Sequence, residues 1–302
     1  MSTGVTRRQF IVAATATAAT VAFPARPVTK EMRGPLVCIF SKHLQFLDYA
    51  TLAMTAKDLG VDGIDLTVRK GSHVLPANVN EDLPRAVNAL RAQGIEVPMI
   101  STNLYDGADP DARPILEAAS KLGIPYFRIG GQSYDKTGDP LSQLPKFTEE
   151  LRSLSKLAEE FGMTAGYHNH SGYYNVGAPL WDLLRIFESI GSDRLGSNFD
   201  TGHAAVEGAF GTWQINARAM APHIKMMAVK DFVWKKDRPE WVPLGQGIAQ
   251  TVEILKIART AGFAGPISLH FEYKTASNDA LIEAMRKDVA TLRGYLKTAG
   301  YS

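Results

Sequence analysis

Short apolar runs alternate with longer amphipathic stretches along this chain from residue 36 onward. Each apolar run is short enough for a strand, because amphipathic helices in globular proteins extend over about ten residues or more. The runs predict strands at 36–41, 62–68, 95–102, 124–130, 163–169, 195–200, 224–230 and 266–272.

The stretches between these runs carry apolar residues three or four positions apart, which is the spacing of helices. They predict helices at 47–59, 83–93, 112–122, 144–161, 180–190, 251–261 and 279–296. A glycine follows all but the last of them, as a left-handed C-terminal cap requires. These glycines are Gly60, Gly94, Gly123, Gly162, Gly191 and Gly262.

Strict alternation of strands and helices favours a parallel sheet covered by helices. Eight predicted strands in one uninterrupted domain, residues 34–302, close most naturally into a (β/α)8 TIM barrel. A doubly wound open sheet is the alternative. It is weakened because no Gly-x-Gly-x-x-Gly motif follows the first strand.

Polar residues stand at the predicted strand ends, where a barrel places its reactive groups. The first four strands lead to His43, to Arg69 and His73, to Asn103, and to Arg128. The last four lead to His168 and His170, to Asp200 and His203, to Lys230, and to His270 and Glu272. Only His223, among seven histidines, falls clearly outside this pattern, so chance clustering is a poor explanation.

The composition is that of an ordinary soluble globular protein, with 45% hydrophobic and 21% charged residues. The net charge is +2 with both signs mixed along the chain, and no basic block predicts a nucleic-acid partner. The single cysteine, Cys38, lies in an apolar run and is predicted to be a small core residue. One cysteine excludes an intramolecular disulfide and a cysteine-rich zinc site.

Residues 1–33 differ from the rest of the chain. Arg7 and Arg8 precede Phe10-Ile11 and a mildly apolar, Ala/Thr-rich stretch that ends at a Pro-rich exit. This arrangement resembles a twin-arginine export signal and predicts a periplasmic or exported protein. The stretch is too short and too polar for a confident membrane span. Cleavage is poorly marked, so retention as an uncleaved anchor stays open.

The strand-end residues also suggest chemistry. Residues two apart on a strand point to one face, so His168 and His170 share a face, as do His270 and Glu272. Imidazoles and carboxylates that converge from separate strands suit a divalent metal with open coordination positions. The carboxylate of Asp200 would be costly to bury without such a cation or a hydrogen-bond donor.

A sugar presents many hydroxyl groups, so its site needs donors and acceptors beside a hydrophobic wall. The predicted donors are Arg69, Arg128, Lys230 and Asn103, and the predicted stacking residues are Trp234, Tyr173 and Phe40. His43 and His73 are the remaining predicted substrate-binding residues. Alternatives stay open for three of these: Arg128 as a structural ion-pair partner, Lys230 as a partner of neighbouring side chains, and Trp234 as a packed loop residue.

Several segments together resemble the xylose isomerase-like barrels, also described as sugar phosphate isomerases/epimerases or the endonuclease-IV-like superfamily. The resemblance covers about residues 36–296 and is fairly specific for the superfamily, but poor at choosing a substrate. It rests on Leu59-Gly60-Val61-Asp62-Gly63-Ile64-Asp65-Leu66, Tyr167-His168-Asn169-His170, Phe199-Asp200-Thr201-Gly202-His203, Val229-Lys230-Asp231 and Gly245-Gln246-Gly247.

The resemblance implies one divalent ion, Mn, Mg, Co or Zn, held by Glu, Asp, His and Glu from strands 5 to 8. Asp200 and Glu272 match two of these positions. His168 stands where many relatives carry glutamate, and Ala228 stands where the strand-7 histidine is expected. The predicted ligands are therefore His168, Asp200 and Glu272, with His203 or His170 as an uncertain fourth.

The resemblance also bears on mechanism, because relatives that epimerise ketoses use two glutamates as opposed bases. His168 breaks that pair, so Glu272 is the predicted single base. Lys230 is the predicted electrostatic stabiliser, and His170 and His203 are further catalytic candidates.

These inferences favour a metal-dependent sugar isomerase or epimerase that removes a proton beside a carbonyl group. A lyase or hydrolase acting on keto-glycosides or polyols is the first alternative, and a catalytically silent sugar-binding barrel is the second. The expected partner is a small-molecule sugar or glycoside, without nucleic acid. The oligomeric state stays open, a homo-oligomer included.

Overall fold

The structure is a computed structural model that describes residue 1 and residues 34–301. All the elements below lie within residues 34–301. The predicted export signal therefore lies outside the described residues, apart from Met1. Within the described part of the chain, no helix is long and apolar enough to cross a membrane.

Eight parallel strands close into a barrel, which confirms the predicted fold. Their order around the ring is β1-β10-β7-β6-β5-β4-β3-β2, so the first and last strands pair directly. The barrel strands are β1 Val37–Phe40, β2 Gly63–Thr67, β3 Glu96–Ser101, β4 Tyr126–Ile129, β5 Thr164–His168, β6 Leu195–Asp200, β7 Ile224–Val229 and β10 Ile267–Leu269. All eight fall within the predicted runs.

Helices connect the strands and surround the barrel. They are α1 Tyr49–Leu59, α2 Val79–Ala92, α3 Ala112–Lys121, α4 Pro140–Glu160, α5 Trp181–Ile190, α6 Thr201–Glu207, α7 Thr212–Met220, α8 Thr251–Thr260 and α9 Asn278–Thr298. Asp48 caps α1 by accepting from the backbone N–H of Thr51, and Ser277 caps α9 in the same way. The six glycines predicted to end helices all have left-handed φ values between 64° and 87°.

Two features were not predicted from the sequence. No helix was predicted between the sixth and seventh strands, and the segment there folds into two short helices, α6 and α7. After β7 the chain forms an antiparallel hairpin from β8 Asp231–Lys235 and β9 Arg238–Val242, joined at Lys236 with φ 60°. The hairpin stands on the face of the barrel where β7 ends, so it adds a wall to the predicted active-site face.

The barrel interior is not purely apolar. Asp65 on β2 accepts a hydrogen bond of 2.8 Å from the hydroxyl of Ser268 on β10, and both residues are fully buried. Because β1 lies between these strands, the two side chains meet inside the barrel. Burial raises the pKa of Asp65 to about 6, since the low-dielectric interior disfavours its charged form.

Candidate active site

Four neighbouring strands bring one buried polar residue each to the carboxyl end of the barrel. His168 ends β5, Asp200 ends β6, Lys230 directly follows β7 and His270 directly follows β10. Their exposed fractions are 1%, 0%, 3% and 3%. A barrel of this type places its chemistry at this end, so the four residues form the core of a candidate active site.

The local fold of β6 determines which oxygen of Asp200 faces the site. Its Oδ1 accepts from the backbone N–H of His203 at 2.8 Å and so caps α6. Its backbone N–H donates to Oδ1 of Asn169 at 2.8 Å, which ties the ends of β5 and β6 together. The remaining oxygen, Oδ2, lies 3.4 Å from Nε2 of His168 and 3.3 Å from Nζ of Lys230.

Lys230 is the centre of the charge arrangement. Its Nζ lies 3.3 Å from Oδ2 of Asp200, 3.3 Å from Oε2 of Glu272 and 2.7 Å from Nε2 of His203. The indole of Trp241 covers the same ammonium group at 4.2 Å from its centroid, a cation–π contact. The ammonium group is thus held from several sides.

The contact with Lys230 also assigns the proton on His203. The ammonium group can only donate, so Nε2 of His203 accepts and the ring proton is on Nδ1. That Nδ1 lies 2.8 Å from the hydroxyl of Ser171, which can accept it. Gly202 makes room for this packing, because a Cβ there would lie 2.7 Å from Cγ of Lys230 and 3.0 Å from the Trp241 ring.

The site contains four imidazoles in mutual contact. The ring of His168 lies 4.5 Å from His170 and 5.3 Å from His270, and His170 lies 4.8 Å from His203. Burial lowers the pKa of each ring, that of His170 to about 3 and the others well below 6.5. The charge of Arg128 adds to the lowering in every case. Neutral imidazoles keep a lone pair for a metal or a proton.

Two groups of these residues have ligand atoms within 4.8 Å of one another, so His and Asp residues can hold a metal ion. The groups are His168–His170–His203 and His168–Asp200–His270. In the first, Lys230 and Ser171 already engage both nitrogens of His203. In the second, neither nitrogen of His270 has a hydrogen-bond partner within residues 34–301, and Oδ2 of Asp200 has only its ion pair with Lys230. A buried imidazole without partners can turn a nitrogen to a metal ion, so the second group fits better.

Glu272 and His203, both predicted ligands, are placed differently from His168 and Asp200. Glu272 belongs to neither ligand group, and its carboxylate faces Lys230 with 26% of the side chain exposed. Burial pushes the pKa of Glu272 upward, but Lys230, His203 and Lys42 together outweigh this and leave the pKa below its usual value. Glu272 is therefore an ionised carboxylate at the edge of the site. Its role as a metal ligand stays a prediction.

The other side of the barrel mouth carries the predicted sugar-binding residues. The guanidinium groups of Arg69 and Arg128 lie 5.4 Å and 5.5 Å from the Phe40 ring centroid, and Phe40 stacks on His270 at 4.4 Å. Arg69 also donates to Oδ1 of Asn103 at 3.4 Å. Burial lowers the pKa of Arg128 to about 10, which leaves it charged at neutral pH. Two of the predicted donors thus lie beside one aromatic ring, and a third, Asn103, contacts one of them.

The two remaining predicted histidines occupy different places. Nε2 of His43 accepts from the backbone N–H of Phe271 at 3.0 Å, and burial lowers its pKa to about 4. The half-buried ring of His73 makes no hydrogen bond within residues 34–301, while its carbonyl accepts from the hydroxyl of Tyr49. Only His43 packs against the His270 side of the site.

The structure places Trp241, not Trp234, against the reactive residues. The Trp241 ring lies 5.0 Å from the ring of His203, edge to face. Trp234 is 42% exposed and packs on Phe232 at 5.5 Å. A weak signal for this exists, because alternating apolar residues around Lys236-Asp237 are typical of a hairpin. His270 stands at a predicted strand end without a predicted role, since Glu272 offers the expected carboxylate.

The comparisons with known proteins agree with this architecture. The sequence model of a family described as "Xylose isomerase-like TIM barrel" matches residues 54–295. No curated protein matches this chain in sequence.

Solved structures share the fold at low identity. A xylose isomerase domain protein from Alicyclobacillus acidocaldarius is 17% identical, with 88% of this chain and 99% of that chain covered and a TM-score of 0.71. A Mycobacterium smegmatis xylose isomerase-like TIM barrel protein in complex with magnesium is 17% identical, with 89% and 100% covered and a TM-score of 0.68. The 3-keto-D-glucoside 4-epimerase of E. coli is 13% identical, with 86% and 99% covered and a TM-score of 0.66.

Proposed function

Because this chain belongs to the xylose isomerase-like TIM barrel family, we propose that it is a metal-dependent enzyme that removes a proton beside a carbonyl group of a sugar or sugar derivative. Isomerisation or epimerisation is the favoured outcome. The observation that carries the proposal is the position of Lys230, whose ammonium group lies 3.3 Å from both Glu272 and Asp200. A carboxylate base and a cation thus stand together beside a buried ligand set.

Each residue of the site has a separate task in this reaction. Glu272 is ionised, so it can accept a proton from the carbon next to the carbonyl. The positive charge of Lys230 would stabilise the negative charge that develops on the substrate oxygen, and the contact with Nε2 of His203 helps to hold the ammonium group in place. A bound divalent metal would polarise the same carbonyl. Arg69, Arg128 and Asn103 would bind the other hydroxyl groups.

The nature of the donors bears on the metal. His168 and His270 supply nitrogen and Asp200 supplies oxygen, a set of two imidazoles and one carboxylate. Imidazole ligands suit zinc or cobalt, whereas magnesium prefers an all-oxygen shell. We therefore place zinc and cobalt ahead of magnesium and manganese, although the M. smegmatis relative was solved with magnesium.

Elimination from a keto-glycoside is the second candidate, and one observation favours it. Two carboxylates lie beside Lys230, and Asp200 caps α6 whereas Glu272 caps no helix. His168 occupies the position where a second glutamate would face Glu272. One base paired with one ammonium group suits removal of a proton followed by protonation of a leaving group on the neighbouring carbon. Symmetric two-base epimerisation would need a second carboxylate.

Solvent exchange with a panel of sugars tests the proposal. Ketopentoses, ketohexoses and a 3-keto-glucoside are incubated in deuterated water with zinc- or cobalt-loaded protein, and deuterium beside the carbonyl is followed by NMR. Wild type is expected to incorporate deuterium, or to release the substituent, with at least one of them. Glu272→Gln is expected to lose about 10²–10⁴-fold in rate.

Two controls define the result. His223→Gln, outside the site, should exchange like wild type, and the metal content of each sample is measured alongside. Conversion of a substrate without exchange or elimination would argue for a hydride shift or hydrolysis instead. An unchanged rate in metal-replete Glu272→Gln would remove Glu272 as the base and leave His170 or His203.

Export through the twin-arginine route is a separate proposal that rests on Arg7 and Arg8. Replacing both with Lys should leave the protein in the cytoplasm, because the paired arginines are an address that a receptor recognises. Cell fractionation with immunodetection measures this. Normal periplasmic accumulation of the Lys–Lys variant would refute it.

A further inference from the structure

A cavity of about 790 Å³ lies beside the candidate active site, between the β8–β9 hairpin and the segment that follows β10. Trp241 and Glu272 line it, and these two residues also contact Lys230. The cavity therefore borders the site directly, and a molecule held at Lys230 can extend into it.

Flat and apolar side chains form its walls. Trp241 and Pro239 come from β9, and Tyr273 comes from the opposite side. The hydroxyl of Tyr273 donates to Asp288 at 2.8 Å, and Asp288 also accepts from the backbone N–H of Leu244 at 3.1 Å. These bonds fix both sides of the cavity to α9, so it exists before any ligand binds. Aromatic walls of this kind pack against a ring.

Asp231 anchors the base of the hairpin. Its carboxylate accepts from the backbone N–H groups of Gly245, Gly247 and Ala249 at 2.9–3.0 Å. Gly247 approaches so closely that a Cβ there would overlap the Asp231 carboxylate. The hairpin is thus held by buried bonds rather than by loose surface contacts.

The charges around the cavity do not cancel. Glu240 pairs with Lys235 at 2.7 Å, and Glu272 pairs with Lys230. Arg238 and Lys274 also line the cavity, and neither forms an ion pair within residues 34–301. Two cations therefore remain for a ligand.

We propose that this cavity is a second subsite, which binds a ring bearing an anionic group. The inference rests on the proposed function, because the ring would be the part of the substrate beyond the reacting sugar, as in an acidic glycoside. The walls of Trp241 and Tyr273 hold the ring, and Arg238 and Lys274 hold the anion. A carboxylate and a phosphate share this chemistry.

Small fragments test the subsite without any turnover. Binding of benzoate, phenyl phosphate and the neutral isostere benzyl alcohol is measured by ligand-observed NMR on the full chain with EDTA present. Wild type should prefer benzoate or phenyl phosphate over benzyl alcohol by roughly 3- to 10-fold, as two exposed cations would give. The anion that binds more tightly shows whether the cavity takes a carboxylate or a phosphate. Higher salt should reduce the preference for the anions over benzyl alcohol.

Matched variants locate the binding. Arg238→Gln/Lys274→Gln should abolish the preference for the anion and leave benzyl alcohol binding unchanged. Lys256→Gln/Lys287→Gln makes the same change of net charge on α8 and α9 outside the cavity, and it should behave like wild type. Asp200→Asn should also keep the preference, which distinguishes the cavity from the ligand set.

Three outcomes would overturn the proposal: no preference for the anions, an equal loss in both double variants, or loss of anion binding in Asp200→Asn. None depends on the sugar or on catalysis. The subsite can therefore fail while deuterium exchange succeeds, and exchange can fail while fragments bind.

Discussion

The two halves of the barrel mouth use opposite chemistry. Around β5, β6, β7 and β10, neutral imidazoles and carboxylates surround one ammonium group, and the buried ring of His270 has no hydrogen-bond partner within residues 34–301. Around β1 to β4, two guanidinium groups flank the Phe40 ring and one of them reaches Asn103. The first half can hold a cation and move a proton. The second offers donors and a hydrophobic surface, as a polyol requires.

Under the proposed function, the difference predicts that the reacting groups and the substrate-binding groups lie on separate halves of one fold. Phe40 contacts both halves, because its ring stacks on His270 and lies beside the guanidinium groups of Arg69 and Arg128. Substitutions in the first half should change turnover or metal content, and substitutions in the second should change substrate affinity. Three substitutions test that division, and a fourth tests the barrel interior beneath the second half.

Lys230→Met should have the largest effect. Loss of its ammonium group removes charge stabilisation, so kcat should fall about 10²–10³-fold. It also leaves Asp200 and Glu272 without their cation, which should cost about 3 kcal/mol of unfolding free energy. Steady-state kinetics and urea denaturation measure the two effects. Lys225→Met, at the opposite end of β7, is the control. A kcat within about 10-fold of wild type would show that Lys230 is a structural residue.

His270→Ala should remove most metal affinity, at least about 100-fold, because a ligand is lost from a set of three. Cobalt titration followed by visible absorption measures this, with His223→Ala as the control. Glu272→Gln should keep its cobalt, since Glu272 belongs to neither ligand group. The reverse pattern, with cobalt lost from Glu272→Gln and kept by His270→Ala, would restore the ligand set expected from the family.

Asp65→Asn tests the stability of the barrel interior, because Asp65 is a buried carboxyl on β2, one of the strands of the second half. The carboxyl of Asp65 has its pKa raised to about 6 in the fold, so the folded state loses stability as pH rises from about 4 to 6. The penalty is absent below the unfolded pKa and complete above about pH 6, where it amounts to about 2–3 kcal/mol. The Asn variant should lack this decline. Urea denaturation at several pH values between about 4 and 7 measures it, and parallel curves for the two proteins would contradict the prediction.

Arg69→Gln should have the smallest effect, about a 10-fold rise in KM with kcat nearly unchanged. The side chain is partly exposed and lies in the binding half, so it should contribute to substrate binding and not to the chemical step. Steady-state kinetics with a substrate found by deuterium exchange provides the measurement. A fall in kcat with KM unchanged would place Arg69 in the chemistry and remove the division.

Much of the fold could be predicted because its signals are local. Apolar runs, helical spacing and the glycines at Gly60 or Gly191 each depend on neighbouring residues. The helices α6 and α7 and the β8–β9 hairpin could not be predicted, because their packing depends on residues that the barrel brings together. Asp200, for instance, caps α6 only because β6 ends there.

The sequence identifies candidate residues for the site but not their contacts, and the roles of these residues stay predictions. Strand ends identify His168, Asp200 and Lys230, since each directly ends or follows an apolar run. Trp241 contacts Lys230 from a different element, and no periodicity in the sequence predicts such a contact. For the same reason, the sequence favours Glu272 over His270: both follow one strand, and only the packing shows which of them lies next to Asp200.

The hydrogen bond from Phe271 to His43 has a consequence for how the protein becomes active. His43 follows the first barrel strand and Phe271 follows the last, so this bond spans the junction where the ring closes. A chain that ends before residue 267 carries His168, Asp200 and Lys230 but can neither close the ring nor supply His270. Synthesis or proteolysis that stops short of the last strand should therefore give an inert polypeptide rather than a weakened enzyme.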